Sequence, residues 1–178
     1  MNNHPEVNTR VDLAILFAKM GFKTGAEIGV CQGKYSRVFC RNIPKLKLYC
    51  VDIWEVDTND PWDYGENHSL HYERAKRILA PYDATLIKKA SSEAVKDFED
   101  NSLDFVYIDS NHTYKYTLED LTIWSPKVRS GGIVSGHDYY NLKGFGIIKA
   151  VDEYMLTHNI TDGFITVEKP HSFWWVKP

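Results

Sequence analysis

Nowhere does this chain carry an apolar run approaching the ~18 residues that a membrane-spanning helix requires, and its N-terminus, Met1-Asn-Asn-His-Pro5, has neither the basic stretch nor the apolar core of a secretory leader. It reads as a soluble chain without a signal peptide. Basic residues are scattered, with no Lys/Arg run interleaved with aromatics, and the net charge is -3. That excludes the electrostatic footprint of a nucleic-acid or anionic-membrane binder and leaves a small neutral or mildly charged partner. Cysteine is scarce too: Cys31, Cys40 and Cys50 are an odd number without C-x-x-C spacing, which argues against a disulfide framework and for reduced thiols in a cytoplasmic protein. No internal repeat and no low-complexity linker interrupts the 178 residues, enough for one domain, 1–178, with its own core. A homo-oligomer is compatible with this composition.

What is present is a regular alternation of apolar runs. Asn8 or Thr9 is placed to cap a helix whose apolar positions Val11, Leu13, Ala14, Leu16, Phe17 and Met20 recur at helical spacing, and Gly21 ends it. Residues 1–22 are thus predicted to form a leading helix. Strands are predicted near 23–29, 46–52, 84–88, 103–108 and 131–135, separated by helices over 34–42, 67–80, 92–98, 115–124 and 145–157. Strands separated by helices imply an α/β protein with a parallel sheet covered on both faces. The last two strands, Gly163-Phe-Ile-Thr-Val167 and Ser172-Phe-Trp-Trp-Val176, are joined by only four residues, so they must pair antiparallel. One connection, Glu55 to Glu66, carries no structural signal of its own and holds Trp62 and Tyr64. A long loop beside a ligand site is often a lid, and equally often a solvated excursion.

Gly25-Ala-Glu-Ile-Gly-Val-Cys-Gln-Gly33 reads as a buried strand running into a glycine loop and a helix, and Leu48-Tyr-Cys-Val-Asp-Ile-Trp54 as a second strand ending in an acid. This is the layout of a nucleotide-type cofactor site, where glycines admit the ligand to the backbone and the acid accepts from ribose hydroxyls. A dinucleotide fingerprint would be G-x-G-x-x-G. Here the spacing is Glu27-x-Gly29-x-x-x-Gly33, with Cys31 at the glycine that lets a pyrophosphate approach, which disfavours NAD and a nicotinamide oxidoreductase.

E-x-G-x-x-x-G followed by the hydrophobic-Asp pair resembles motif I and the acidic loop of class I S-adenosylmethionine (SAM) dependent methyltransferases. Further on, Val106-Tyr-Ile-Asp-Ser-Asn-His-Thr-Tyr114, then Leu118-Glu-Asp-Leu121, Trp124 and Pro126, then Ser130-Gly-Gly-Ile-Val-Ser-Gly-His-Asp-Tyr139, are similar to the branch with the pattern I-D-G-D-H-S-Y, D-L, W, P, G-G, D-Y. That branch holds small-molecule and sugar O-methyltransferases, some metal-dependent, and cephalosporin-hydroxylase-like proteins. The resemblance spans roughly residues 23 to 140. It implies a Rossmann-like doubly wound fold with a mostly parallel seven-stranded sheet ending in an antiparallel hairpin, SAM as cofactor, and a small molecule or sugar as acceptor; a SAM-binding protein without activity is the alternative.

Under this resemblance Gly29 and Gly33 form the cofactor loop, Glu27 contacts the cofactor's amino-acid part or braces the loop, and Asp52 binds the ribose. Ile53 and Trp54 line the adenine, unless Trp54 is core. Ser91 and Ser92 lie near the adenine or cap the next helix. Asp109, Asn111, His112, His137 and Asp138 follow strand ends, so a parallel sheet brings them to the carboxyl edge, where ligands bind. In metal-dependent members the corresponding acids hold a divalent ion, which maps the metal set onto Asp109, His137 and Asp138. Imidazole in that set favours Mn2+ over Mg2+. Asn111 stands where those members have a candidate base and cannot take a proton; His112 or His137 is the natural substitute, since a free imidazole is partly unprotonated at pH 7. His112 serves equally as a brace, and Asp109 as a partner of the cofactor's amino group.

Overall fold

The computed structural model describes residues 1–61, 63 and 67–178. Its elements run β1 (Asn2–Asn3), α1 (Arg10–Lys19), β2 (Thr24–Ile28), α2 (Lys34–Asn42), β3 (Lys47–Asp52), α3 (His68–Leu79), β4 (Ala84–Lys88), α4 (Ser91–Ala94), β5 (Leu103–Ile108), α5 (Tyr114–Trp124), β6 (Val128–Gly136), α6 (Ile147–Thr157), β7 (Gly163–Ile165) and β8 (Phe173–Val176). Short 3-10 turns at Val95–Asp97 and Ser125–Lys127 extend α4 and α5. Trp62 and Tyr64, the aromatics of the Glu55–Glu66 connection, lie outside the described residues.

The elements form for local reasons. Thr9 caps α1 by accepting from the Asp12 N–H at 3.2 Å while the Asp12 carboxylate accepts from the Thr9 N–H at 2.9 Å, a reciprocal capping box. In β2 every residue from Gly25 to Ile28 is buried, as expected of a strand covered on both faces. Apolar side chains then fill both faces. On one side Leu13, Phe17, Phe39, Phe105 and Tyr107 pack together, the Phe17 and Phe105 rings 4.7 Å apart. On the other, Val106, Ile108, Leu121, Trp124, Val151 and Trp175 form a second layer.

The sheet has eight strands in the order β1-β7-β8-β6-β5-β2-β3-β4. All pairs are parallel except those of β8, which runs antiparallel to β6 and β7. The mostly parallel sheet with a terminal antiparallel hairpin is as expected; the count of seven is not. Asn2 and Asn3 pair with Phe164 and Ile165, so residues 1–22 contribute an edge strand as well as a helix. Between β2 and β5 the chain order reverses direction across the sheet, which leaves a crevice at their carboxyl ends. Among the described residues no helix is long and apolar enough to cross a membrane.

Candidate functional site

A cavity of about 430 Å³ opens at that crevice, within the ~300–1,000 Å³ range of small-molecule sites. The chain turns that follow β2, β3, β4 and β5 build its wall. After β2 the backbone turns at Gly29, whose N–H donates to the Val51 carbonyl at 2.8 Å while Asp109 N–H reaches the Ile28 carbonyl at 2.7 Å. Gly29 has φ +88, and a Cβ there would collide with the Asp109 backbone, so only glycine lets the ends of β2 and β5 close on each other. Gly33, φ +73, opens α2 against Ala75 and Leu79 of α3.

Asp52 ends β3 and organises the loop beside it. Its Oδ2 accepts from the N–H groups of Val30 and Cys31, each at 2.8 Å, and its Oδ1 from Trp54 N–H at 2.6 Å. With one lone pair of Oδ1 remaining, the carboxylate shapes the glycine loop and still presents an acceptor to the cavity. Ile53 is 39 % exposed and lines the cavity. Trp54 also lines it yet is buried, its indole N–H donating to the Cys31 carbonyl at 2.8 Å, so it is both core and cavity wall.

Glu27 and Gly33 stand behind the wall, outside the lining residues. The Glu27 carboxylate is 1 % exposed and accepts from the Ser36 hydroxyl. Burial pushes its pKa up to about 8, the Ser36 hydrogen bond working against that rise. The carboxylate thus ties the end of β2 to α2.

Across the cavity lie Ser91 and Ser92. The expectation that one of them caps the following helix does not hold: the cap residue is Ala90, with no side-chain hydrogen bond. Ser91 is engaged elsewhere. Its hydroxyl donates to Asp120 and accepts from the Trp124 indole N–H at 2.8 Å. Asp120 takes a second hydroxyl, from Ser110 at 2.5 Å, and burial raises its pKa to about 6 against the pull of both serines. Asp120 enters the sequence reading only as the acid of the D-L pair; the signal for its burial is its place on the helix stripe otherwise formed by Thr117, Leu121 and Trp124.

At the ends of β5 and β6 the acidic cluster converges. Ligand atoms of Asp109, His137 and Asp138 all lie within 4.8 Å of one another. His137 Nδ1 is 3.2 Å from Asp138 Oδ1 and 3.7 Å from Asp109 Oδ1. Two carboxylates and an imidazole suit a divalent ion that accepts nitrogen. Asp138 sits at φ 58, a left-handed conformation uncommon for a residue with a side chain. Asp109, Asn111 and His112 line the cavity, whereas His137 and Asp138 stand outside its lining.

His112 is clamped. Its Nε2 lies 3.1 Å from Asp138 Oδ2 and its Nδ1 3.0 Å from Asp60 Oδ2, and Phe145 stacks on its ring at 4.7 Å. Burial works to lower its pKa, but the two carboxylates outweigh it and raise the imidazole to about 10. The premise of a partly unprotonated His112 at pH 7 is thereby corrected: between two carboxylates it is a cation. Asn111 also has a partner from the 55–67 connection, its amide N–H donating to Asp57 Oδ2 at 2.8 Å, while its oxygen accepts from Thr113. Asp57 and Asp60 were missed in the sequence because acids in a Pro/Gly-containing loop look like a solvated excursion.

Residues 26–139 match the family model of a methyltransferase domain. The uncharacterized protein y4gI of Sinorhizobium fredii is 29% identical over 133 residues, 68% of this chain and 14% of that protein, so the chain spans about a seventh of the length of this curated relative. Among solved structures, the O-methyltransferase NovP superposes with a TM-score of 0.70 at 20% identity, covering 94% of this chain and 79% of that one. The O-methyltransferase TomG of Streptomyces achromogenes, involved in tomaymycin synthesis and solved with SAM, gives 0.67 at 14%, covering 98% and 83%. The two structures share the fold, and the match over residues 26–139 identifies the chain as a member of the methyltransferase-domain family.

Proposed function

We propose that this chain binds SAM in the cavity and transfers its methyl group to an oxygen of a small molecule or sugar held beside Asp109, His112 and His137. The observation that carries the reading is the cavity itself: the Asp52 carboxylate, suited to ribose hydroxyls, on one side, Ser91 and Ser92 on another, opening onto Asp109 and His112. Its charge fits. Asp52, Asp57, Asp60, Asp63, Asp109 and Asp120 line it against Lys89 and the cationic His112, an acidic excess that suits a sulfonium and would repel a pyrophosphate. TomG was solved with SAM, which supports the same cofactor here.

A sulfonium supplies an already activated leaving group, so alignment of the acceptor, worth up to ~7–11 kcal/mol, is the main task of the protein. Asp109 on the cavity wall, with His137 and Asp138 behind it, would orient the acceptor hydroxyl or hold a divalent ion. Such an ion, when bound, would lower the pKa of that hydroxyl. His112, as a cation, holds Asp138 in place. A second reading, a SAM-binding protein without turnover, is favoured by one observation, that both nitrogens of His112 are engaged by carboxylates. The buried thiol of Cys50 and the half-buried Cys40, both raised in pKa by burial, suit the cytoplasm, where we place the protein.

Titration calorimetry with SAM, S-adenosylhomocysteine (SAH) and NAD tests the cofactor: binding of the first two in the micromolar range is expected, and binding of NAD alone would overturn the assignment. Methyl-labelled SAM incubated with fractionated small molecules then tests turnover. Binding without label in any fraction selects the second reading.

A further inference from the structure

Asp120 is a buried acid on the cavity wall that methyl transfer itself does not use. It comes from α5 and is 5 % exposed, yet it lines the cavity together with Tyr116 and Glu119 of the same helix. Its oxygens are held separately: Oδ1 accepts the Ser91 hydroxyl and Oδ2 the Ser110 hydroxyl, the latter at 2.5 Å. Ser91 accepts in turn from the Trp124 indole N–H at 2.8 Å, so its hydroxyl proton is committed inside the wall. The lysine of the lining, Lys89, is committed as well, paired with Asp97 at 2.5 Å. The loop that carries Ser91 is fixed to the end of β3, with Lys89 N–H donating to the Asp52 carbonyl at 3.2 Å. Ser91, and the Asp120 bonded to it, therefore stand next to the carboxylate that suits the ribose.

A carboxylate has about four lone-pair sites, so two serine hydroxyls leave Asp120 with acceptor capacity on the cavity wall. A buried acceptor of this kind calls for a donor. We propose that the Asp120 carboxyl selects the adenine base of the cofactor by accepting from its exocyclic amino group, so that the base is read from α5 through a group that Ser91 and Ser110 hold in place. The proposal rests on the SAM reading of the cavity and names the feature of the cofactor that is recognised. Deamination of the base replaces the amino donor with a carbonyl oxygen, and the buried acceptor then faces another acceptor with no proton between them.

The test compares, by calorimetry on the full chain, SAH with its deaminated analogue S-inosylhomocysteine. Wild type should bind SAH about 10- to 100-fold more tightly, the ratio expected for one hydrogen bond to a charged group. Asp120→Asn, whose amide offers a donor to the inosine carbonyl, should lose most of that ratio, whereas Glu119→Gln, a neighbouring acid of the same lining, should keep it. A second measurement uses wild type alone: the Asp120 carboxyl 13C resonance should shift with SAH and stay in place with S-ribosylhomocysteine, which has no base. Should Asp120→Asn fail to fold, this resonance decides. Equal wild-type affinity for the two nucleosides overturns the proposal, as does a ratio that persists in Asp120→Asn, a ratio lost in Glu119→Gln, or a carboxyl shift that S-ribosylhomocysteine reproduces. Binding of neither nucleoside overturns the SAM reading itself and the proposal with it, an outcome distinct from equal binding of both.

Discussion

Asp52 was expected to serve a ligand, and it first serves the protein. Three backbone N–H groups, of Val30, Cys31 and Trp54, lose their acceptor together in Asp52→Ala, so thermal stability should fall by about 1–3 kcal/mol and SAM affinity by a similar amount. Asp52→Asn, which keeps one oxygen, should fall between. Unchanged melting with lost affinity would confine Asp52 to the ligand. Glu27 offers the opposite case, a carboxyl that the fold prefers neutral. Its pKa is about 8 when folded and 4.5 in its ordinary state, so between those values the folded chain holds a proton that the unfolded chain releases. Stability is therefore greatest below about pH 4.5 as far as this group is concerned and declines until about pH 8, each unit of rise corresponding to about 1.4 kcal/mol. Glu27→Gln should remove that slope and melt higher than wild type above about pH 8. Parallel pH profiles for the two proteins would show that Glu27 is solvated or paired in solution.

Periodicity and breakers located most elements because they report burial directly: α2 is found at Lys34–Asn42 and β4 at Ala84–Lys88, as expected. What they could not report is pairing without pattern. The two asparagines of β1 carry no alternation and join the sheet only because β7 presents an open edge. Near α4, the serines looked like caps, and Asp120 took the hydroxyl of Ser91 instead. The same limit hid the role of the 55–67 connection, whose acids meet Asn111 and His112 only in three dimensions. If Asp60 works by holding His112, then Asp60→Asn and His112→Ala should each lower kcat by about 10- to 100-fold, the cost expected of a misplaced catalytic group, with SAH affinity near wild type. The double variant should be no worse than His112→Ala alone, since one contact is lost only once. Additive losses would show that Asp60 and His112 act on different parts of the site.

Topology, and no local segment, brings Asp109, His137 and Asp138 together. In the β5–β6 pairing Ile108 is level with Gly136, so the next residues, Asp109 and His137, leave the sheet side by side, with Asp138 following. That juxtaposition was legible in the sequence once both strands were read as parallel neighbours ending at one edge; the proton held by His112 was not, because Asp60 comes from a distant loop. His137 must offer Nδ1 without a proton to act as a ligand. Burial lowers its pKa, but the Asp138 hydrogen bond and the charges of Asp109 and Asp138 raise it overall, so protons and metal compete for the same nitrogen. Metal affinity should therefore climb as pH rises through and above the ordinary imidazole range of about 6.5. Mn2+ should bind more tightly than Mg2+ because imidazole is in the donor set. Paramagnetic broadening of the His137 resonances by Mn2+, measured at several pH values, checks the site without relying on turnover, and Asp138→Asn should weaken it about tenfold or more, comparable to losing a ligand's support. Mn2+ that leaves His137 unperturbed at every pH, together with methyl transfer that survives complete chelation, would leave Asp109, His137 and Asp138 as orienting groups for the acceptor hydroxyl alone.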